Sequence, residues 1–102
     1  MISHESEIVR KLRLIEWLKA ELVGSVSRVF HALAKGAEQP AADAMASVIV
    51  NCYVLGKRLG IDFPQMDEAI STRLEQNIKQ ETEVEKWYGD MSELRRHLRQ
   101  KR

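Results

Sequence analysis

Two short sets of polar residues, placed within otherwise apolar helical sequence, have types and spacing that suit ligand chemistry. Both sets follow the period of an α-helix, so the members of each set lie on one helix face. The first set is Glu21, Ser25 and Arg28, and the second is Asp43, Ser47 and Asn51. A guanidinium beside hydroxyl and amide groups suits a polar or phosphorylated ligand, with Arg28 as the contact to the anion.

The same residues also suit a purely structural role. Buried polar groups usually find partners inside the protein. A polar seam in which Arg28 pairs with Asp43 or Glu21 would fix the register of two packed helices. We favour this structural role over the ligand pocket, and the sequence assigns no catalytic residue.

Other reactive side chains give weaker signals. The single cysteine, Cys52, lies in the most apolar segment, where a buried and inert thiol is expected. Trp87 and Tyr88 suit either base stacking or the anchoring of a loop to the core. The basic C-terminal end, residues 94–102, has no alternating aromatic residues. We therefore interpret it as a solvated helix end and expect no nucleic-acid partner.

Composition narrows the class of protein. The 102 residues include 16 Lys+Arg and 15 Asp+Glu, and the net charge of +1 gives no overall field that would attract nucleic acid or an anionic membrane. With 5 glycines and 2 prolines, the chain has too few turn residues for an all-β fold. One cysteine and an N-terminus without an apolar stretch indicate a cytoplasmic protein without a signal peptide. The length suits a single domain, residues 1–102.

Hydrophobic periodicity predicts an all-α bundle of four helices, at about residues 6–35, 40–59, 64–79 and 91–100. Gly36 is expected to end the first helix. Asp90, with Glu93 three residues later, resembles a capping box at the start of the last helix. The segment 80–90 between the last two helices is predicted to be irregular.

The apolar residues of the first two helices exceed what one short chain can cover. Ile8, Ile15, Leu22 and Val29 form one row along the first helix, and Leu12, Val26 and Leu33 form a second row beside it. The second helix is apolar nearly all round, which is typical of a helix buried on several sides. We therefore predict a homodimer or larger oligomer with these two helices in the interface. The alternative is a monomer whose last helix folds back as a lid.

Several segments together resemble the MazG-like family of all-α nucleoside triphosphate pyrophosphohydrolases. These segments are residues 17–26, 31–36, 55–62 and 73–77. The resemblance implies an oligomer that hydrolyses a nucleotide between its α and β phosphates, releasing a nucleoside monophosphate and pyrophosphate. It also implies two facing helices that carry Glu-x-x-Glu and Glu-x-x-Asp and hold Mg²⁺, so that the two polar sets face each other.

The chain departs from this pattern at the expected metal ligands. Aligned on the family pattern, those four positions hold Leu22, Ser25, Ala44 and Ser47. Glu21 and Asp43 lie one position earlier, but neither has a carboxylate three residues further on, so they are weak metal candidates. We expect no cofactor, or Mg²⁺ if the family activity is retained. The sequence thus predicts nucleotide binding with weak hydrolysis at most, or else a non-catalytic oligomeric module for interaction or regulation.

Overall fold

A computed structural model describes the backbone of residues 4–101 and the side chains of residues 6–101. Within these residues the chain forms helices joined by short connections and no strands, so the predicted all-α fold is confirmed. The helices are α1 (His4–Ala34), α2 (Glu38–Arg58), α3 (Phe63–Lys79), α4 (Glu83–Tyr88) and α5 (Asp90–Gln100). The described chain folds as two compact units, which meet in the sequence between Phe63 and Pro64.

The first unit is a hairpin in which α1 packs against α2. The buried and half-buried residues along this packed face recur at alternating intervals of three and four, as in a coiled-coil seam. In α1 they are Ile15, Leu18, Leu22, Ser25, Val29 and Ala32. In α2 they are Ala41, Ala44, Val48, Asn51 and Leu55. We call these two rows the seam. Its large residues lie towards the open end of the hairpin, and alanines line it near the turn.

The turn of the hairpin ends α1 at a glycine, as the sequence predicted. Gly36 has a φ of +65°, in the left-handed region that favours glycine. Its N–H donates to the Leu33 carbonyl at 3.1 Å, and the N–H of Ala37 donates to the Ala32 carbonyl at 2.9 Å. These two bonds form a Schellman motif, which satisfies carbonyls that the end of α1 would otherwise leave unpaired.

Much of the apolar surface of α1 and α2 lies outside the seam. The second predicted row of α1, Leu12, Val26 and Leu33, is exposed in the single chain. Within the single chain α2 is not buried on several sides, because Met45, Ile49 and Val50 are also exposed. The reason is that a two-helix hairpin covers only one face of each helix. Burial of α2 by a second copy stays a prediction.

The second unit contains one helix that the sequence did not predict. Helix α4 occupies part of the segment expected to be irregular. A helix of six residues is too short to show an apolar period, but its first-turn acids, Glu83 and Glu85, suit the positive end of the helix dipole. Gly89, with a φ of +67°, ends it. Trp87 and Tyr88 are exposed on this helix, so they do not anchor a loop to a core within the described chain.

The start of α5 is capped from the preceding helix. The predicted capping box at Asp90 is wrong, since Gly89 is the N-cap residue and has no side chain with which to cap. The Glu85 carboxylate acts as the cap instead. It accepts hydrogen bonds from the Ser92 N–H at 2.9 Å and from the Ser92 hydroxyl. These bonds lower the pKa of the Glu85 carboxyl below its ordinary value.

An ion pair joins α3 to α5 within the same unit. Arg95 donates from Nη1 to Glu75 Oε1 at 2.6 Å, and Arg99 Nη2 lies 3.6 Å from the same oxygen. The hydrogen bond from Arg95, followed by the charges of nearby cations, lowers the pKa of Glu75. Two cations of the basic C-terminal end therefore have a partner inside the chain.

No helix in the part of the chain that the structure describes combines the length and apolar character that crossing a membrane would require.

Candidate functional site

The centre of the candidate site is the hydroxyl of Ser25, which is fully buried in the seam. Its Oγ donates to the Glu21 carbonyl one turn earlier, at 2.8 Å. It accepts from Asn51 Nδ2 on α2 at 2.9 Å and from Arg28 Nη2 at 3.1 Å. A serine hydroxyl has one donor and two acceptor sites, so all its hydrogen-bonding capacity is used.

The remaining predicted site residues are placed around this centre. Glu21 is half-buried and takes part through its backbone carbonyl. Asp43 is exposed, and its Oδ1 accepts from Gln39 Nε2 at 2.9 Å. Neither carboxylate forms an ion pair with Arg28, which uses Ser25 as its partner. Ser47 is half-buried on α2.

The four positions where the sequence analysis expects metal ligands are uncharged and mostly covered. Ser25 and Ala44 are buried in the seam, and Leu22 and Ser47 are half-buried. Within the described residues, no group of three or more histidine, cysteine or carboxylate side chains is arranged to hold a metal ion. The hydroxyl of Ser25 has no lone pair left for an ion. These residues therefore do not fit a magnesium site.

A groove of about 510 Å³ runs beside the seam, between the last turns of α1 and the first turns of α2. It brings together three of the predicted residues, Arg28, Asp43 and Ser47. Glu21, Ser25 and Asn51 are not among its lining residues. The alanines of the seam leave this space, because small side chains fill little of the volume beside a helix contact. We call this space the polar groove.

Two residues that the sequence analysis did not select, His31 and Lys35, also line the polar groove. Counted from Arg28, they follow at positions i+3 and i+7: His31 lies on the same flank of α1 as Arg28, and Lys35 is the residue directly after the end of α1 and still donates its N–H to the His31 carbonyl at 3.2 Å. That spacing is visible in the sequence. It did not stand out, because the two residues lie near a helix end where cations are common.

A second groove, of about 390 Å³, lies on the opposite flank of the seam. Leu33, Met45 and Ala42 contribute to its apolar lining. Exposed apolar residues continue the same flank along both helices. We call the whole surface the apolar flank, and its residues are Val23, Val26, Phe30, Leu33, Met45 and Ile49.

These features define an all-α protein whose first two helices form a hairpin with a polar centre in its seam. A sequence model of the MazG-like family matches residues 8–91, which include most of α1 and all of α2 and reach the start of α5. The chain therefore belongs to the MazG-like family, whose fold is of the nucleotide pyrophosphohydrolase type. Comparison with curated proteins gave no match, and neither did comparison with solved structures.

Proposed function

We propose that this chain is a nucleotide-binding member of the MazG-like family with weak hydrolysis of nucleoside triphosphates at most. The family supports the nucleotide as ligand. The observation that carries the loss of hydrolysis is the Ser25 hydroxyl, which lies at an expected metal-ligand position with every hydrogen-bonding site occupied by Glu21, Asn51 and Arg28. An ion at this position would have to displace either the bond from Asn51 that links α2 to α1 or the bond from Arg28.

The two surviving carboxylates support the same proposal. Glu21 and Asp43 lie on different helices, and each lacks a carboxylate three residues further on. Mg²⁺ requires near-octahedral oxygen ligands and is usually held through carboxylates together with substrate phosphates. With only Glu21 and Asp43 beside the expected ligand positions, the chain provides fewer charges there than the family's paired carboxylates. No step of hydrolysis is therefore assigned to a metal in this chain.

An assay for pyrophosphate tests the proposed loss of hydrolysis. Purified protein is incubated with Mg²⁺ or Mn²⁺ and each of a panel of nucleoside triphosphates, while calorimetry measures nucleotide binding in parallel. We expect binding without turnover at ordinary enzyme rates, which are roughly 1–1000 per second. Turnover at such rates that Glu21→Ala or Asp43→Ala abolishes would overturn the proposal, since those carboxylates would then be the metal ligands.

A second candidate function is a non-catalytic oligomeric module for interaction or regulation. The apolar flank supports it, because six large apolar side chains share one side of the hairpin and are exposed in the single chain, Phe30 by 66%. Contiguous apolar surface of this kind usually marks an interface between proteins. The proposed partner is a second copy of this chain, with α1 and α2 forming the interface of a homodimer or larger oligomer.

Sedimentation separates this candidate from a monomeric binding protein. At low micromolar concentration we expect a species of at least twice the 11.8 kDa chain mass. A single species at the chain mass would contradict the oligomer. Absence of turnover, combined with no thermal shift from any nucleotide, would favour the interaction module over the nucleotide-binding protein.

A further inference from the structure

The polar groove has an excess of positive charge. Arg28 and Lys35 carry one positive charge each, His31 adds a ring N–H donor, and Asp43 is the only carboxylate in the lining within the described chain. Neither Lys35 nor His31 forms an ion pair through its side chain with any described residue, and one oxygen of Asp43 is already bonded to Gln39. The groove therefore presents more cationic donors than the chain itself neutralises.

Arg28 is held in place at the edge of this groove. Its Nη2 donates to the hydroxyl of Ser25, a residue with 0% exposure that is itself fixed by α2 through Asn51. The guanidinium folds back along α1 over Gly24, where a Cβ would meet Arg28 Nη1 at 3.4 Å, an ordinary contact distance. A guanidinium has five N–H donors. One of them points at Ser25, and others are available to an anion. Because the guanidinium is already held by Ser25, binding the anion costs less side-chain entropy than it would with a freely rotating arginine.

From this geometry we infer that the polar groove binds a phosphoryl group directly through Arg28, His31 and Lys35, without a divalent cation. The groove is lined by Arg28 and His31 of α1, by Lys35 directly after α1, and by Ser47 of α2. Arginine and lysine are the usual partners of phosphate in proteins. The inference extends the proposed function when the phosphoryl group belongs to a nucleotide, and it holds equally for free pyrophosphate.

Calorimetric titration in the presence of EDTA tests the inference on the full chain. Three probes are compared: inorganic pyrophosphate, ATP, and adenosine, which lacks phosphate. Pyrophosphate and ATP are expected to bind without metal, and adenosine is not. Binding should weaken as salt increases, because the contacts are between charges near the surface. No binding of pyrophosphate or ATP in EDTA would overturn the inference.

Two variants identify the groove as the binding site. Arg28→Gln and Lys35→Gln should each weaken binding by about tenfold, the effect of losing one charge-assisted hydrogen bond. Lys11→Gln is the matched control, since Lys11 is an exposed cation of α1 outside the groove and its loss changes the net charge equally. Lys35 has no side-chain partner in the described chain, so its replacement leaves the fold intact even if Arg28→Gln loosens the seam.

The outcomes separate the inference from the proposed function. If ATP binds only with Mg²⁺ and Lys35→Gln does not change its affinity, the polar groove is not the phosphoryl site, but the chain is still a nucleotide-binding protein. If pyrophosphate binds as tightly as ATP, the groove is supported as a phosphoryl site, and the nucleoside is shown not to contribute to its affinity. If Lys11→Gln and Lys35→Gln weaken binding equally, the ligand is attracted only to the cationic surface in general, and the inference is overturned.

Discussion

Asn51 on α2 donates a hydrogen bond from Nδ2 to the Oγ of Ser25 on α1, at 2.9 Å. This bond is a polar link between the two helices at the centre of an otherwise apolar seam. Because the two residues face each other across antiparallel helices, a shift of either helix by one turn would separate them. The pair therefore specifies one register of the hairpin, and through Arg28 it also positions the edge of the polar groove.

Removing either partner of this bond should destabilise the hairpin. We expect Ser25→Ala to lower the free energy of unfolding by about 1–2 kcal/mol, because Asn51 and Arg28 both lose an acceptor at a buried position. A double-mutant cycle with Asn51→Ala should give a coupling energy of about 0.5 kcal/mol or more. Urea unfolding followed by circular dichroism, at one fixed protein concentration, measures both values.

Ser27→Ala provides the control for that cycle. Ser27 is exposed on α1, outside the seam, and forms no hydrogen bond through its side chain in the described chain. Its replacement should change the free energy of unfolding by less than about 0.5 kcal/mol. Equal effects of Ser25→Ala and Ser27→Ala would mean that the buried hydroxyl has no special role in the seam.

The cap of α5 should make the second unit sensitive to acid. The pKa of Glu85 is lowered in the folded chain by its bonds to Ser92. A carboxyl group with a lowered folded pKa contributes stability above its unfolded pKa and loses that stability as the pH falls through the folded value. Glu85→Gln should therefore lower the thermal midpoint most at neutral pH, and the difference from the natural chain should shrink as the pH falls below the ordinary pKa of a glutamate.

Glu83→Gln is the matched control for this prediction. Glu83 lies in the same short helix, but its side chain has no hydrogen bond to α5 in the described chain. The pKa of Glu75 is also lowered, so Glu75 contributes acid sensitivity of its own. Comparing the variant with the natural chain at each pH removes this contribution, because both chains contain Glu75. If Glu85→Gln lowers the thermal midpoint by the same amount at neutral and acid pH, the negative charge of Glu85 does not stabilise the cap.

The sequence predicted the elements whose signals are local and missed those that depend on distant residues. The apolar periods gave the four long helices, with boundaries within two residues, and Gly36 was correctly expected to end the first. The cap of α5 was missed because Glu85 reaches it across Gly89 from another helix. The polar groove was missed because it exists only when the alanines of α1 and α2 are packed together.

Another prediction concerns the end of α3. Glu81 has a φ of +48°, and the bond from its N–H to the Ile78 carbonyl belongs to the same motif that glycine forms at the end of α1. A side chain in this conformation is strained by about 1–2 kcal/mol. Glu81→Gly should therefore raise the free energy of unfolding by about 0.5–1 kcal/mol, measured by urea unfolding. Glu81→Ala keeps the strained Cβ, so it should give no such gain; an equal gain from both would exclude relief of strain as the cause.

The proposed interface makes the sharpest prediction, because α2 offers two neighbouring residues with the same exposure. Ile49 and Val50 are each 58% exposed in the single chain. One helical step turns the chain by about 100°, so Ile49 lies on the apolar flank while Val50 points away from it. Placing a charge in an apolar interface is costly, so Ile49→Glu should weaken self-association by at least about tenfold in sedimentation experiments. Val50→Glu makes the same change in charge and nearly the same change in helix propensity, yet should leave association intact. If both variants dissociate equally, the interface lies elsewhere on α2. If the natural chain is already monomeric, the apolar flank is not a contact between copies.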